Sequence, residues 1–405
     1  MTKDALANKF PNVKNIPDFS KFTGGGQSPN DQPDGNCVSS PSSSSGLFSG
    51  GSHQHKFRSG EGSVKKWCGQ DYKDLKRQCK SRGMLFEDPE FPASNHLLVD
   101  DNQQFVISYF GRTRFDSNSI QWKRPHEIIS NPKMFVGDAD RFDINQGEIG
   151  NCWFLAAVAN LAENKKCFNR VVPQDQDFTD RDYQGMFRFR FWRFGEWVEV
   201  VIDDRLPTRN GKLIYLRSVE KNEFWGALLE KAYAKLHGSY RALEGGLTLE
   251  AAVHLTGGIP EMIDLENRQY IPDRLFYIMS KADANGAFMG CALTSDSRRA
   301  RTAQDLGLQS RHAYTITKVV EIRSHKVASG IPLVRLRNPH GNDREWRGDW
   351  SDGDKHWQII PKHKQSDLGL NFDDDGEFYM SFRDFLKYFG QLEICHLTLD
   401  RTLLP

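Results

Sequence analysis

Cys152 stands where Gly150-Asn151 gives way to the helical run Phe154, Leu155, Ala156, Val158, Ala159 and Leu161, which puts its sulfur at a helix N-terminus. There the unpaired N–H groups and the positive end of the helix dipole favour thiolate over thiol. A thiol with a pKa of about 8.5 is only a few per cent ionised at neutral pH, so a cysteine nucleophile also needs a base beside it. Of the twelve histidines, His312 is the best situated, because it opens a strand-like run straight after the polar stretch Gln309-Ser310-Arg311. An imidazole in turn needs a partner on its second nitrogen. Asn338 ends the strand-like run Leu333 to Arg337 just before Pro339, where its amide would project beside His312 from a neighbouring strand. Gln146 offers an amide donor that a loop could fold back toward the same sulfur.

The order Cys, His, Asn, with His312 lying 160 residues after Cys152 and Asn338 a further 26 on, is that of papain-like peptidases, whose His and Asn follow the nucleophile by roughly 130 to 150 residues. Taken singly, each residue has a structural alternative. A helix-start cysteine can be a small buried hydrophobe, a strand histidine a satisfied structural one, and an asparagine before proline a turn residue.

The elements that must position these groups are legible around them. Residues 1–70 are dominated by Gly, Ser, Asn, Asp, Pro and Lys and cannot bury enough apolar surface to offset their ordering entropy, so they are expected to be a disordered tail. Its few apolar residues (Phe10, Ile16, Phe19, Phe22, Leu47, Phe48) could form a short docking motif. Order is expected from near Tyr72, with a short helix ended by Gly83 and a helical turn begun by Pro125. Met186 to Trp192 and Trp197 to Ile202 alternate as two strands joined at Phe194-Gly195. Phe224, Trp225, Leu228, Leu229, Ala232, Tyr233 and Leu236 mark an amphipathic helix stopped at Gly238, and Leu249 to Leu255 a second, stopped by Gly257-Gly258. Beyond residue 260 the runs 287–293, 312–320 and 332–337 all read as β. The reading is α+β: a helix-rich first lobe over residues 71–260, a β-rich second lobe over 261–400, a C-terminal end at 401–405, and chemistry in the cleft between lobes.

Composition narrows the function. Lys and Arg number 54 against 53 Asp and Glu, so there is no bulk attraction to nucleic acid or to an anionic membrane. No run of about 18 apolar residues and no secretory-type N-terminus is present, so a cytosolic protein without a transmembrane segment is expected. The seven cysteines are odd in number, scattered and without a C-x-x-C pair, which argues against a disulfide framework or structural zinc and for reduced thiols.

These motifs resemble the calpains, calcium-dependent cysteine peptidases of the cytosol. Gln146 to Ala157 is close to that family's Gln-Gly-x-x-Gly-Asp-Cys-Trp-x-Leu-Ala-Ala; His312-Ala313-Tyr314 and Arg337-Asn338-Pro339 match its other two catalytic segments. Trp122 to Ile128, Glu223 to Lys235 and Asp375 to Phe382 are also family-like, so the resemblance covers roughly residues 72 to 400. It implies a two-lobed papain-like core, with Cys152 as nucleophile, His312 as general base then acid, Asn338 as its orienter, and Gln146 with the Cys152 N–H as oxyanion hole. It implies a calcium ion (Ca2+) on each lobe, held near Val136, Asp143 and Glu223 on the first and by Glu345, Asp352, Asp375 and Glu377, with help from Asp373, on the second. Such sites suit calcium because they offer several oxygen ligands. The resemblance also implies protein substrates, limited cleavage through an acyl-thioester, and a calpain-type inhibitor or regulatory subunit as partner.

The chain departs from the pattern at four places. Arg311 replaces the Gly before the histidine, His340 the Trp after Asn-Pro, Asn151 the Asp before the cysteine, and Gly137-Asp138 reverses Asp-Gly. A second reading follows from them: a catalytically impaired calpain-like regulatory or binding protein. Larger calpains continue into a β-sandwich and an EF-hand domain, and no EF-hand loop occurs in these residues, so calcium control is expected within the protease core.

Overall fold

The computed structural model describes residues 64–98, 105–108, 111–114, 119–293, 298–324, 327–341, 345–370 and 372–397. The expected tail as far as residue 63, its docking motif, and the end 401–405 lie outside them. From Val64 the chain is already built in, since Lys65–Lys66 pairs in parallel with Val198 and Glu199. Helix Tyr72–Arg82 begins at Asp71, whose carboxylate accepts the Asp74 N–H at 2.9 Å, and ends at Gly83 with φ 63°, as its capping residues require. The expected hairpin pairs Met186–Arg193 with Glu196–Asp203 along their full length. Its two turn residues, Phe194 and Gly195, have φ of 52° and 86°, the left-handed pair that follows the twist of a hairpin.

Two helices fill the first lobe. Cys152–Glu163, the cysteine helix, is apolar on every side and buried almost throughout. It packs against helix Thr248–Thr256 and reaches the strand His312–Ser324. Trp225–His237, the central helix, departs from the amphipathic expectation: every residue but His237 is buried, including Glu230, Lys231 and Lys235. The charges survive there because each has a partner. Lys231 Nζ donates to Asp203 at 2.7 Å, and Lys235 Nζ to Asp88 at 2.6 Å and the Val201 carbonyl at 2.7 Å. Burial pushes the Asp203 carboxyl up, but Lys231 and Arg205 outweigh it and hold it below its ordinary range.

The second lobe is a six-stranded antiparallel sheet. Its spatial order is Glu377–Ser381, Val327–Arg337, His312–Ser324, Phe288–Leu293, Gln391–His396 and Ile259–Asp264. The runs read as β beyond residue 260 lie in it, and its edge strand begins at Ile259. One apolar core surrounds the cysteine and central helices and takes in Phe288, Ala313 and Cys395 from the sheet, and another gathers Leu275, Met279, Leu293, Tyr314, Leu336 and Phe385. The fold is therefore the expected α+β architecture. Among the described residues the expectation of reduced thiols is corrected at Cys68, which is disulfide-bonded. An odd count and absent C-x-x-C spacing exclude a framework but not a single bond. Cys79, Cys152, Cys167, Cys291 and Cys395 are free.

Candidate active site

Asn151 precedes the cysteine helix, and its carbonyl accepts the Phe154 and Leu155 N–H groups at 2.9 and 3.1 Å. Cys152 is thus the first helical residue. Backbone N–H groups of Ala313, Trp153 and Cys152 itself face the sulfur, which sets the thiol beside the strand that His312 opens. Thr315 ties the two elements together by donating from Oγ1 to the Ala156 carbonyl at 3.1 Å.

The pairing of Thr315 with Arg337 brings the ends of neighbouring strands together, and there His312 Nε2 meets Asn338 Oδ1 at 2.8 Å. The same Oδ1 accepts the backbone N–H of His340 at 3.1 Å. The His340 ring lies parallel to that of His312, with centroids 4.8 Å apart and 6° between planes, while the Tyr314 ring stands nearly perpendicular with its centroid 5.1 Å away. His340 therefore walls the imidazole as a stacked ring, in the position where an indole was missed. Arg311 is exposed, with φ 53°, so it keeps the left-handed backbone that glycine suits.

The electrostatics differ from the thiolate expected at a helix end. Burial raises the Cys152 thiol above its usual value against the pull of the backbone N–H groups, and the Glu393 carboxylate adds to the rise. Burial also lowers the His312 imidazole to about 4, with the Asn338 contact opposing it. For both groups desolvation, which favours the neutral form, is the largest effect. Gln146 is buried, its Nε2 donates to the Ile149 carbonyl at 2.7 Å, and its own N–H donates to the Pro339 carbonyl at 3.0 Å. One Nε2 hydrogen is thus committed within the loop.

The expected metal-binding acids form two groups. In the first lobe, Val136 N–H donates to Glu223 Oε1 at 2.7 Å, and Asp143 shares a carboxyl contact with Glu223. Burial and that neighbour push Glu223 up to about 7. In the second, burial and then Glu345, Asp375 and Glu377 push Asp352 up to about 8, and its Oδ2 is buried without a hydrogen-bond partner. Crowding that disfavours the charged form of Glu223 and Asp352, with a buried Asp352 oxygen lacking a hydrogen-bond partner, is chemistry that a hard cation would relieve, so the residues fit calcium. They are not drawn tightly together: among the described residues, the one set of three such ligands whose atoms all lie within 4.8 Å of one another is Asp349, Asp354 and His356. Glu345 accepts the Gly376 N–H at 2.7 Å and Asp375 the Glu377 N–H at 2.8 Å.

Glu377 is held instead by Arg141, through two bonds of 2.8 and 2.9 Å. Arg141 also reaches Glu163 at 3.0 Å, so one guanidinium joins the loop before Asp143, the cysteine helix and the second lobe. Sequence reasoning missed Arg141, because no spacing rule points from a loop residue to a strand 236 positions on. It also missed the buried carboxylates Glu230 and Glu393, each pushed up to about 7 by burial. Their only signal was charge inside an apolar pattern.

Residues 86–396 match the model of the calpain family cysteine protease. The chain is 49% identical over 332 residues to Calpain-B of Drosophila melanogaster, covering 82% of this chain and 34% of that protein. It is 47% identical over 360 residues to Calpain-8 of Rattus norvegicus, with 87% and 49% covered. To the Calpain-1 catalytic subunit of Rattus norvegicus it is 44% identical over 336 residues, with 83% and 45% covered. The chain spans about a third to a half of the length of these relatives. No helix among the described residues is long and apolar enough to cross a membrane. Likeness of this extent, running through both lobes, establishes kinship: the chain belongs to the calpain family of cysteine proteases, and its fold is a papain-like protease core.

Proposed function

We propose that the chain is a calcium-regulated cysteine endopeptidase of the cytosol that makes limited cuts in protein substrates. The observation that carries the reading is the 2.8 Å contact between His312 and Asn338 on the strand whose Ala313 N–H faces Cys152. The contact fixes the ring and leaves Nδ1 to exchange a proton with the thiol. His312 takes the proton from Cys152 as the sulfur adds to the scissile carbonyl. The Cys152 N–H, and the Gln146 amide once turned from its loop, donate to the oxyanion. His312 then passes its proton to the leaving amine, which departs and leaves an acyl-thioester. Water, giving a proton to His312, cleaves the thioester and restores the thiol.

Val136, Asp143 and Glu223 would hold calcium on the first lobe, and Glu345, Asp352, Asp375 and Glu377 on the second. Bound calcium supplies positive charge that removes the mutual repulsion of these carboxylates. Protein partners are proposed likewise: the rat relative is a catalytic subunit by name, which makes a regulatory subunit or a calpain-type inhibitor a candidate partner here. The alternative, an impaired regulatory protein, is less favoured because the contact between His312 and Asn338 is kept beside His340, which stacks on the imidazole.

Hydrolysis of an unfolded protein in excess calcium tests the chemistry. Cys152→Ala is expected to lower turnover by at least about 1,000-fold. Turnover unchanged by that substitution would overturn the mechanism.

A further inference from the structure

The loop that delivers Cys152 is held on both flanks by one buried side chain. Glu230, on the central helix, has 1% of its surface exposed. Its Oε1 accepts from Asn151 Nδ2 at 2.7 Å, directly before the cysteine, and its Oε2 accepts the Leu216 N–H at 3.1 Å. Leu216 belongs to the segment 214–217, which is laced onto the start of the same loop. Asn145 and Arg217 exchange two backbone bonds of 3.1 Å, and Glu148 N–H donates to the Ile214 carbonyl at 2.8 Å. The approach is so close that a Cβ on Gly147 would stand 2.3 Å from the Ile214 oxygen. Gln146, Gly147 and Glu148 thus lean on a segment whose backbone ends on one oxygen of Glu230, while the residue before Cys152 ends on the other.

We infer that Glu230 is a positioning residue that sets the distance and angle between the Cys152 sulfur and the donors of the Gln146 loop. The inference rests on the peptidase reading for its catalytic consequence, though not for the geometry. A carboxylate with two donors costs a great deal to bury unless both bonds are made, so the two attachments are held together rather than independently. Asn151 Oδ1 is itself buried without a partner. An amide in place of the carboxylate could therefore keep both attachments, accepting from Leu216 and donating to a rotated Asn151 side chain.

The experiment measures kcat and KM on a peptide substrate in excess calcium, and the rate at which iodoacetamide labels individual cysteines, for wild type, Glu230→Gln, Glu230→Ala, Asn151→Ala and the Glu230→Ala/Asn151→Ala double variant. Loss of the clamp is expected to lower kcat at least about tenfold with KM within about twofold. Labelling of Cys152 should rise at least about threefold as its loop loosens, while labelling of the buried Cys291 and Cys395 stays at wild-type rates. The double variant should be no worse than about threefold below the worse single one, and Glu230→Gln should stay within about threefold of wild type. Unchanged kcat and Cys152 labelling in the alanine variants would overturn the inference. A joint rise in labelling of Cys152, Cys291 and Cys395 would do the same, since it marks global loosening. Should Glu230→Ala fail to fold, Asn151→Ala alone decides between these outcomes. A wild type without Cys152-dependent turnover defeats the peptidase reading, and the labelling pattern still decides the clamp.

Discussion

His312 is bound on three sides, and each contact does a different job. Asn338 fixes its rotation, Tyr314 packs perpendicular to it, and His340 covers its face. A parallel aromatic neighbour is worth about 1 kcal/mol, and it also keeps water from the Asn338 contact. His340→Ala is therefore expected to lower kcat about fivefold with little change in KM, read from steady-state kinetics on a peptide. An unchanged kcat would mean that the stack plays no part. The proposal of Cys152, His312 and Asn338 is legible in the sequence because it rests on neighbouring residue types and order. It could not reveal their ionisation. The helix end that argues for thiolate is visible in a run of residues, whereas the burial that opposes it depends on what the rest of the chain brings over the sulfur.

The central helix shows how an element can be recognised and its surroundings missed. Apolar residues at spacings of one, three and four marked Trp225–His237 correctly as a helix. The charged residues between them read as a solvent face, yet Lys231 and Lys235 are buried against acids contributed by residues 88 and 203. Those contacts span 28 and 147 positions, beyond the reach of local periodicity. Removing one partner of a buried pair strands the other. Lys231→Met should accordingly cost about 3 kcal/mol in urea unfolding, whereas a loss below about 1 kcal/mol would show that Arg205 suffices for Asp203. The hairpin was easier, because alternation, a two-residue gap and a glycine are all local signals.

At the scale of the whole molecule, the lobes are joined by Glu393. From the second-lobe sheet it accepts the Leu249 N–H at the start of the first-lobe helix Thr248–Thr256. Burial pushes this carboxyl from 4.5 up to about 7. The folded protein thus holds the proton more tightly than the unfolded chain. Stability is full below about pH 4.5, falls as pH rises to about 7, and is level above, by roughly 3 kcal/mol in all for this one group. In the presence of a chelator, Glu393→Gln should lose less melting temperature between pH 5 and 8 than wild type does. Equal losses would contradict the account of this group. Calcium concentration against rate tests the central claim most directly, with Asp352→Asn as the comparison. Peptide hydrolysis by wild type should be at background in a chelator and rise at least about tenfold with calcium, and the variant should need more calcium to reach the same rate. Full activity in the chelator, or none at any calcium concentration, would contradict a calcium-regulated protease core.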